Sequence, residues 1–236
     1  MNNSLVYSFF LVTIASLSTM IGTFPIFITF KNQNKVISLS LFSSAIIMIS
    51  ISLLSLIPES ISLLSNTYSY PFSTLLFFLF FIFGSICTSL TQQITEKKEK
   101  QSNKLFNIGI ISMFIVILHS MPEGIVIFLS SNNAQLGLPL LVLAICFHNI
   151  PEGMMISIPV YYATKSKKKA VLFTFISALS EPLGALVAFL FLQQMMNDIS
   201  MGYLLSFTSG VMVYIALVEL FPNAITYSKK NKKGND

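Results

Sequence analysis

The sequence predicts an all-α membrane protein, a seven-span helical bundle. Three observations predict it. Of 236 residues, 54% are hydrophobic and only 10% charged, and mean hydropathy is +0.77. Apolar runs of the ~20 residues a helix needs to cross a bilayer recur along the chain. The basic residues fall on alternate connections between those runs.

The spans follow in order, at roughly 5–30, 36–57, 71–93, 105–130, 137–163, 170–193 and 199–221. No basic residue precedes the first, and its apolar run continues to Phe30, so it does not read as a cleavable signal peptide. The second ends at Pro58, with Glu59 beside it. The longest polar connection, about 92–104, contains Thr95-Glu96-Lys97-Lys98-Glu99-Lys100 and reads as a solvated loop. The other loops are short: Asn132 to Gln135, Lys165 to Lys169, and Asn197-Asp198. Residues 228–236 read as a basic, polar end without fixed structure. Residues 1–236 make a single transmembrane domain.

Charge sets the expected topology. All 14 basic residues are lysines. They follow span one (Lys31, Lys35), span three (Lys97, Lys98, Lys100, Lys104), span five (Lys165, Lys167, Lys168, Lys169) and span seven (Lys229, Lys230, Lys232, Lys233). Lysines on every second connection put those connections in the cytoplasm. The N-terminus is then outside and the C-terminus inside a multi-pass cell-membrane protein, which requires an odd number of spans. The net charge of +5 is thus a positive-inside signal rather than a nucleic-acid footprint. Cys87 and Cys146 lie in different spans, which gives no disulfide framework. A small buried thiol explains Cys146 better than a ligand does.

Two consecutive spans carry one motif. His119-Ser120-Met121-Pro122-Glu123-Gly124 is repeated 29 residues later as His148-Asn149-Ile150-Pro151-Glu152-Gly153. Each histidine and glutamate are i and i+4, on one helix face. Spans four and five cross in opposite directions, so the faces can meet near the midplane. Two imidazoles and two carboxylates are a plausible ligand set for a divalent transition metal. Each proline removes a backbone donor, bends the helix, and frees the carbonyl of Leu118 or Phe147. At membrane depth a freed carbonyl needs a partner, such as a cation or cavity water. The competing reading of one His–Glu pair is an interhelical hydrogen bond; two copies in register favour a site.

Further polar residues lie in the spans. Glu181, in Ser180-Glu181-Pro182-Leu183-Gly184, is either a third site carboxylate or a hydrogen-bond partner of a neighbouring helix. Asn149 offers an oxygen to a second cation, or an interhelical amide bond. Glu219 would line an exit or sit as an interfacial carboxylate; Glu59 would attract cations at an entrance or cap a solvated helix end. Facing lipid, Glu123, Glu152 and Glu181 together would cost on the order of 8–10 kcal/mol. Two divalent cations bring four positive charges against three negative ones.

These residues resemble the ZIP family of metal transporters, especially its ZupT-like branch. The likeness rests on the doubled His-x-x-Pro-Glu-Gly, on Pro159-Val160-Tyr161 after the second copy, on Ser180-Glu181-Pro182-Leu183-Gly184, and on Glu219-Leu220-Phe221-Pro222. It is good over about residues 105–222 and loose over the first three spans. The resemblance implies uptake of divalent metal into the cytoplasm through a binuclear site between spans four, five and six. One metal would use His119, Glu123, His148 and Glu152; the other would use Asn149, Glu152 and Glu181, with Glu152 bridging. Three departures stand out. Ser120 replaces the family's usual Asn, an eighth span is expected to be missing, and the loop after span three has no histidine.

The cargo is therefore expected to be Zn, Fe(II), Mn or Co, with no enzymatic activity and no resident cofactor. The expected partners are those cations and the lipid bilayer, without nucleic acid; a homodimer is compatible with the sequence. An intramembrane metal-dependent hydrolase, commonly built on three histidines, is disfavoured by a chain with two. A proton-coupled carrier of an organic cation, with the glutamates as relay, is the remaining alternative.

Overall fold

Helix after helix follows from the apolar runs. A computed structural model describes residues 2–28, 33–97, 104–132, 138–192 and 197–233, and among them no strand occurs. Helix α1 spans Asn2–Ile21 and leads into a 3-10 turn, Phe24–Phe27. Helix α2 (Gln33–Ile51) passes through a π-helical turn, Ser52–Leu56, into α3 (Ile57–Ser65). Next come α4 (Tyr70–Lys97), α5 (Lys104–Asn132) and α6 (Leu138–Thr164). Helices α7 (Lys167–Ala178) and α8 (Ser180–Val187) form one rod with a break at Leu179. Helix α9 (Asp198–Tyr214) continues through a second π-helical turn, Ile215–Leu220, into α10 (Phe221–Lys233).

Six of these rods are long and apolar enough to cross a membrane among the described residues: Leu5–Phe27, Asn34–Ser65, Tyr70–Gln93, Val142–Thr164, Lys167–Leu192 and Asp198–Lys230. Helix α5, at 29 residues, completes the expected seven. The outer faces carry large apolar side chains in the open, among them Leu54, Phe78, Phe83 and Phe191. In water such a surface would aggregate; against acyl chains it is the required one. Outward hydroxyls are satisfied within their own helices, as where Ser50 donates to the Ile46 carbonyl and Thr74 to that of Tyr70.

Four stretches differ from expectation. The second rod does not stop at Pro58 but runs to Ser65, so Glu59 lies inside it, half-buried. Proline cannot donate to the preceding turn, and the widened π turn just before Pro58 absorbs that loss. The seventh rod behaves likewise before Pro222, which places Glu219 buried in the π turn, away from the rod's end. Residues 228–233, expected to lack structure, are helical. The expected loop at 92–104 is helical to Lys97 and again from Lys104; residues 98–103 lie outside the described residues.

Glycines fix how the rods cross. A methyl on Gly124 of α5 would overlap the Glu181 carbonyl of α8, and one on Gly184 of α8 would overlap the Met121 carbonyl of α5. The same reciprocal contact joins Gly153 of α6 to the Thr19 carbonyl of α1, and Gly22 to the Ile150 carbonyl. In each case a glycine faces the carbonyl three residues before its partner glycine. The α5–α8 and α1–α6 crossings are thus copies of one arrangement. Lipid tails are as apolar as leucine, so such small-residue contacts, rather than burial from water, hold the rods together. Beside them, Phe189, in the π-helical turn Ala188–Leu192 after α8, meets Phe9 of α1 and Phe128 of α5 edge-on, while Phe9 and Phe128 pack tilted against each other.

Candidate functional site

The doubled motif brings its two helices together. α5 and α6 run unbroken through Pro122 and Pro151. Glu123, His148, Asn149, Glu152 and Glu181 are all buried, none more than 2% exposed. Such burial of three carboxylates and an imidazole is costly without partners.

His148 lies between two of the carboxylates. Its Nε2 is 3.3 Å from Glu123 Oε1 and 3.4 Å from Oε2, across the α5–α6 interface. It is 3.8 Å from Oε1 of Glu152, one turn on along its own helix. The Ser44 hydroxyl of α2 donates to the His148 backbone carbonyl at 3.5 Å.

Asn149 ties this pair to α8 and α1. Its Nδ2 donates to Glu181 Oε1 at 2.5 Å and to the Ala15 carbonyl at 3.0 Å. The interhelical reading of Asn149 and Glu181 is met by this amide–carboxylate bond. The opposite atoms, Asn149 Oδ1 and Glu181 Oε2, are buried and accept no hydrogen bond among the described residues. Nearby, Ser16 donates to the Ala178 carbonyl at 2.6 Å, so α1 also closes onto the rod that carries Glu181.

Of the six candidate residues, five converge. His119 lies on α5, four residues before Glu123, but its side chain lies outside the described residues. Among the described residues no three imidazole, thiol or carboxylate groups enclose one ion-sized centre. Glu219 and Glu59 belong to the α9–α10 and α2–α3 rods.

The sequence reading missed helix α1. It donates no charged group, and what it supplies is a backbone carbonyl and close packing. The crossing register makes its Thr19 the counterpart of Glu181, and Ser120 of α5 the counterpart of Asn149. One side of the arrangement carries amide and carboxylate; the mirrored side carries only hydroxyls. A glycine pair, Gly22 with Gly153, was the available signal.

Transmembrane rods that bury acidic, imidazole and amide groups at the crossing of two proline-bearing helices have the arrangement of membrane proteins with an ion pathway. The model of the family described as ZIP Zinc transporter matches residues 88–234. The chain is 34% identical over 242 residues to Zinc transporter ZupT of Streptococcus mutans, covering 97% of this chain and 91% of that protein. It is 33% identical over 256 residues to Zinc transporter ZupT of Clostridium perfringens, covering 96% and 90%. For Zinc transporter ZupT of Lysinibacillus sphaericus the figures are 32% over 246 residues, with 97% and 91% covered. The chain belongs to the ZIP zinc transporter family, on its ZupT-like branch.

Proposed function

We propose that this chain carries divalent transition-metal cations, zinc first among them, into the cytoplasm through the polar cluster of α5, α6 and α8. The observation that carries the reading is the spacing around His148 Nε2. Two ligand atoms on one tetrahedral zinc, with bonds of about 2.1 Å, stand about 3.4 Å apart. Glu123 Oε1 stands 3.3 Å from Nε2 and Glu152 Oε1 stands 3.8 Å from it. Both carboxylates stand close to that spacing from the imidazole, Glu152 the wider of the two.

In this reading Glu123, His148 and Glu152, with His119 from the same face of α5, hold one cation. Asn149 Oδ1 and Glu181 Oε2 turn toward a second, with Glu152 between the two. Neutral imidazole and ionised carboxylate are the binding forms, so protons compete with metal. A hydrated ion arriving from outside exchanges waters for these ligands. It leaves inward when the α5–α6–α8 unit shifts against the other rods. Nitrogen and oxygen donors without thiolate suit Zn, Fe(II), Mn and Co, and the affinity order alone does not choose among them. The lysine pattern supports an outside N-terminus and a cytoplasmic C-terminus.

Uptake of radioactive zinc into proteoliposomes, with Fe(II), Mn and Co as competitors, tests the reading. Wild-type protein should accumulate zinc, and Glu152→Ala should not. Full uptake by a well-folded Glu152→Ala protein would refute the bridging role.

A further inference from the structure

A separate concavity lies beyond Glu152, at the C-terminal end of α6. A cleft of about 220 Å³ opens where the 3-10 turn after α1, the start of α2 and the end of α6 meet. Ile26, Ile37 and Ile158 line it together with Tyr161, Lys165 and Lys167.

The lysines are arranged rather than scattered. Lys165 adopts φ of 54°, the left-handed region that non-glycine residues rarely enter. Its ammonium lies 5.2 Å from the centre of the Tyr162 ring. The Lys167 ammonium lies 5.0 Å from the Phe27 ring, so it reaches across from α7 to the turn after α1. Aromatic faces hold both cations beside the cleft without neutralising them. No carboxylate lines the cleft among the described residues. The turn also opens α7, whose N-terminus adds positive potential.

We infer that this cleft binds one anionic phospholipid, its phosphate between Lys165 and Lys167 and an acyl chain against Ile26, Ile37 and Ile158. Charge complementarity selects the headgroup, and the apolar wall beneath selects a ligand with a hydrocarbon tail. Basic pockets between helices at a membrane surface take such headgroups. The occupant would pin the ends of α1 and α6, the two helices that cross at Gly22 and Gly153, and so stabilise one arrangement of that pair.

The test uses the full chain reconstituted in nanodiscs of phosphatidylcholine alone or mixed with phosphatidylglycerol. Native mass spectrometry after release into detergent reads retained lipid, and thermal unfolding reads protection. Wild type should retain phosphatidylglycerol over phosphatidylcholine and unfold at higher temperature with it. Each lysine neutralised should weaken retention about fivefold, and K165Q with K167Q together roughly 30-fold. K229Q with K230Q, at the far end of α10, should leave retention unchanged. Equal retention of both lipids would overturn the inference. So would an equal loss with the α10 pair, or the same protection from inorganic phosphate, which would assign the lysines to a soluble anion.

Discussion

Asn149 of α6 donates its side-chain amide to Glu181 of α8 at 2.5 Å, and the same nitrogen reaches the Ala15 carbonyl of α1 at 3.0 Å. One amide thereby joins three rods in the middle of the bundle. The bond also fixes the amide's orientation, turning Oδ1 away from both partners.

Replacing that amide separates its two roles. Asn149→Ala leaves Glu181 buried without its donor, which costs about 1–3 kcal/mol. The protein should unfold at lower temperature in detergent, and zinc should protect it less than it protects wild type. Unchanged melting with and without zinc would show that the bond matters little.

The glycine crossings should not tolerate a methyl. Gly124→Ala and Gly153→Ala push a side chain into the carbonyls of Glu181 and Thr19. Overpacking of this kind costs about 1–3 kcal/mol, and more where backbone must move. Both variants should lose monodispersity on size-exclusion chromatography, to a similar degree because the two contacts are copies. A wild-type profile for either would mean the rods are further apart than described.

Acid should weaken metal binding. Protonation of His148 and of the glutamates removes the donor pairs that metal needs, so zinc affinity must fall as pH falls. Isothermal titration at pH near 7.5 and near 5.5 checks the direction, and proton release on binding at the higher pH checks the cause. Affinity that rises in acid would contradict the ligand set.

The topology has its own test. In a chain with Cys87 and Cys146 replaced by alanine, Asn66→Cys should react with an impermeant maleimide from outside the cell only. Lys229→Cys should react only after the cells are opened. The reverse pattern would invert the orientation that the lysines support.

Much of this arrangement was legible in the residues themselves. The doubled His-x-x-Pro-Glu-Gly on consecutive antiparallel spans allowed the motifs to face one another, and His148 meets Glu123. Glu181 was legible as a charge that no lipid-facing position would accept. The contribution of α1 was not, because a main-chain carbonyl at Ala15 has no signature in side-chain chemistry. Pro58 and Pro222 suggested helix ends, since proline usually stops a helix in water. Inside an apolar bundle the backbone has no solvent to turn to, so the helix widens by a π turn and continues. The lysine-rich end is helical as well. Lys230 lays its ammonium 5.3 Å from the centre of the Tyr227 ring and holds its charge at the surface.

The most direct measurement is anomalous scattering at the zinc edge from crystals grown with zinc. A peak is expected within bonding distance of His148 Nε2 and flanked by Glu123 and Glu152, with any second peak beside Asn149 and Glu181. Strong zinc peaks elsewhere in the bundle, with this cluster empty, would contradict it.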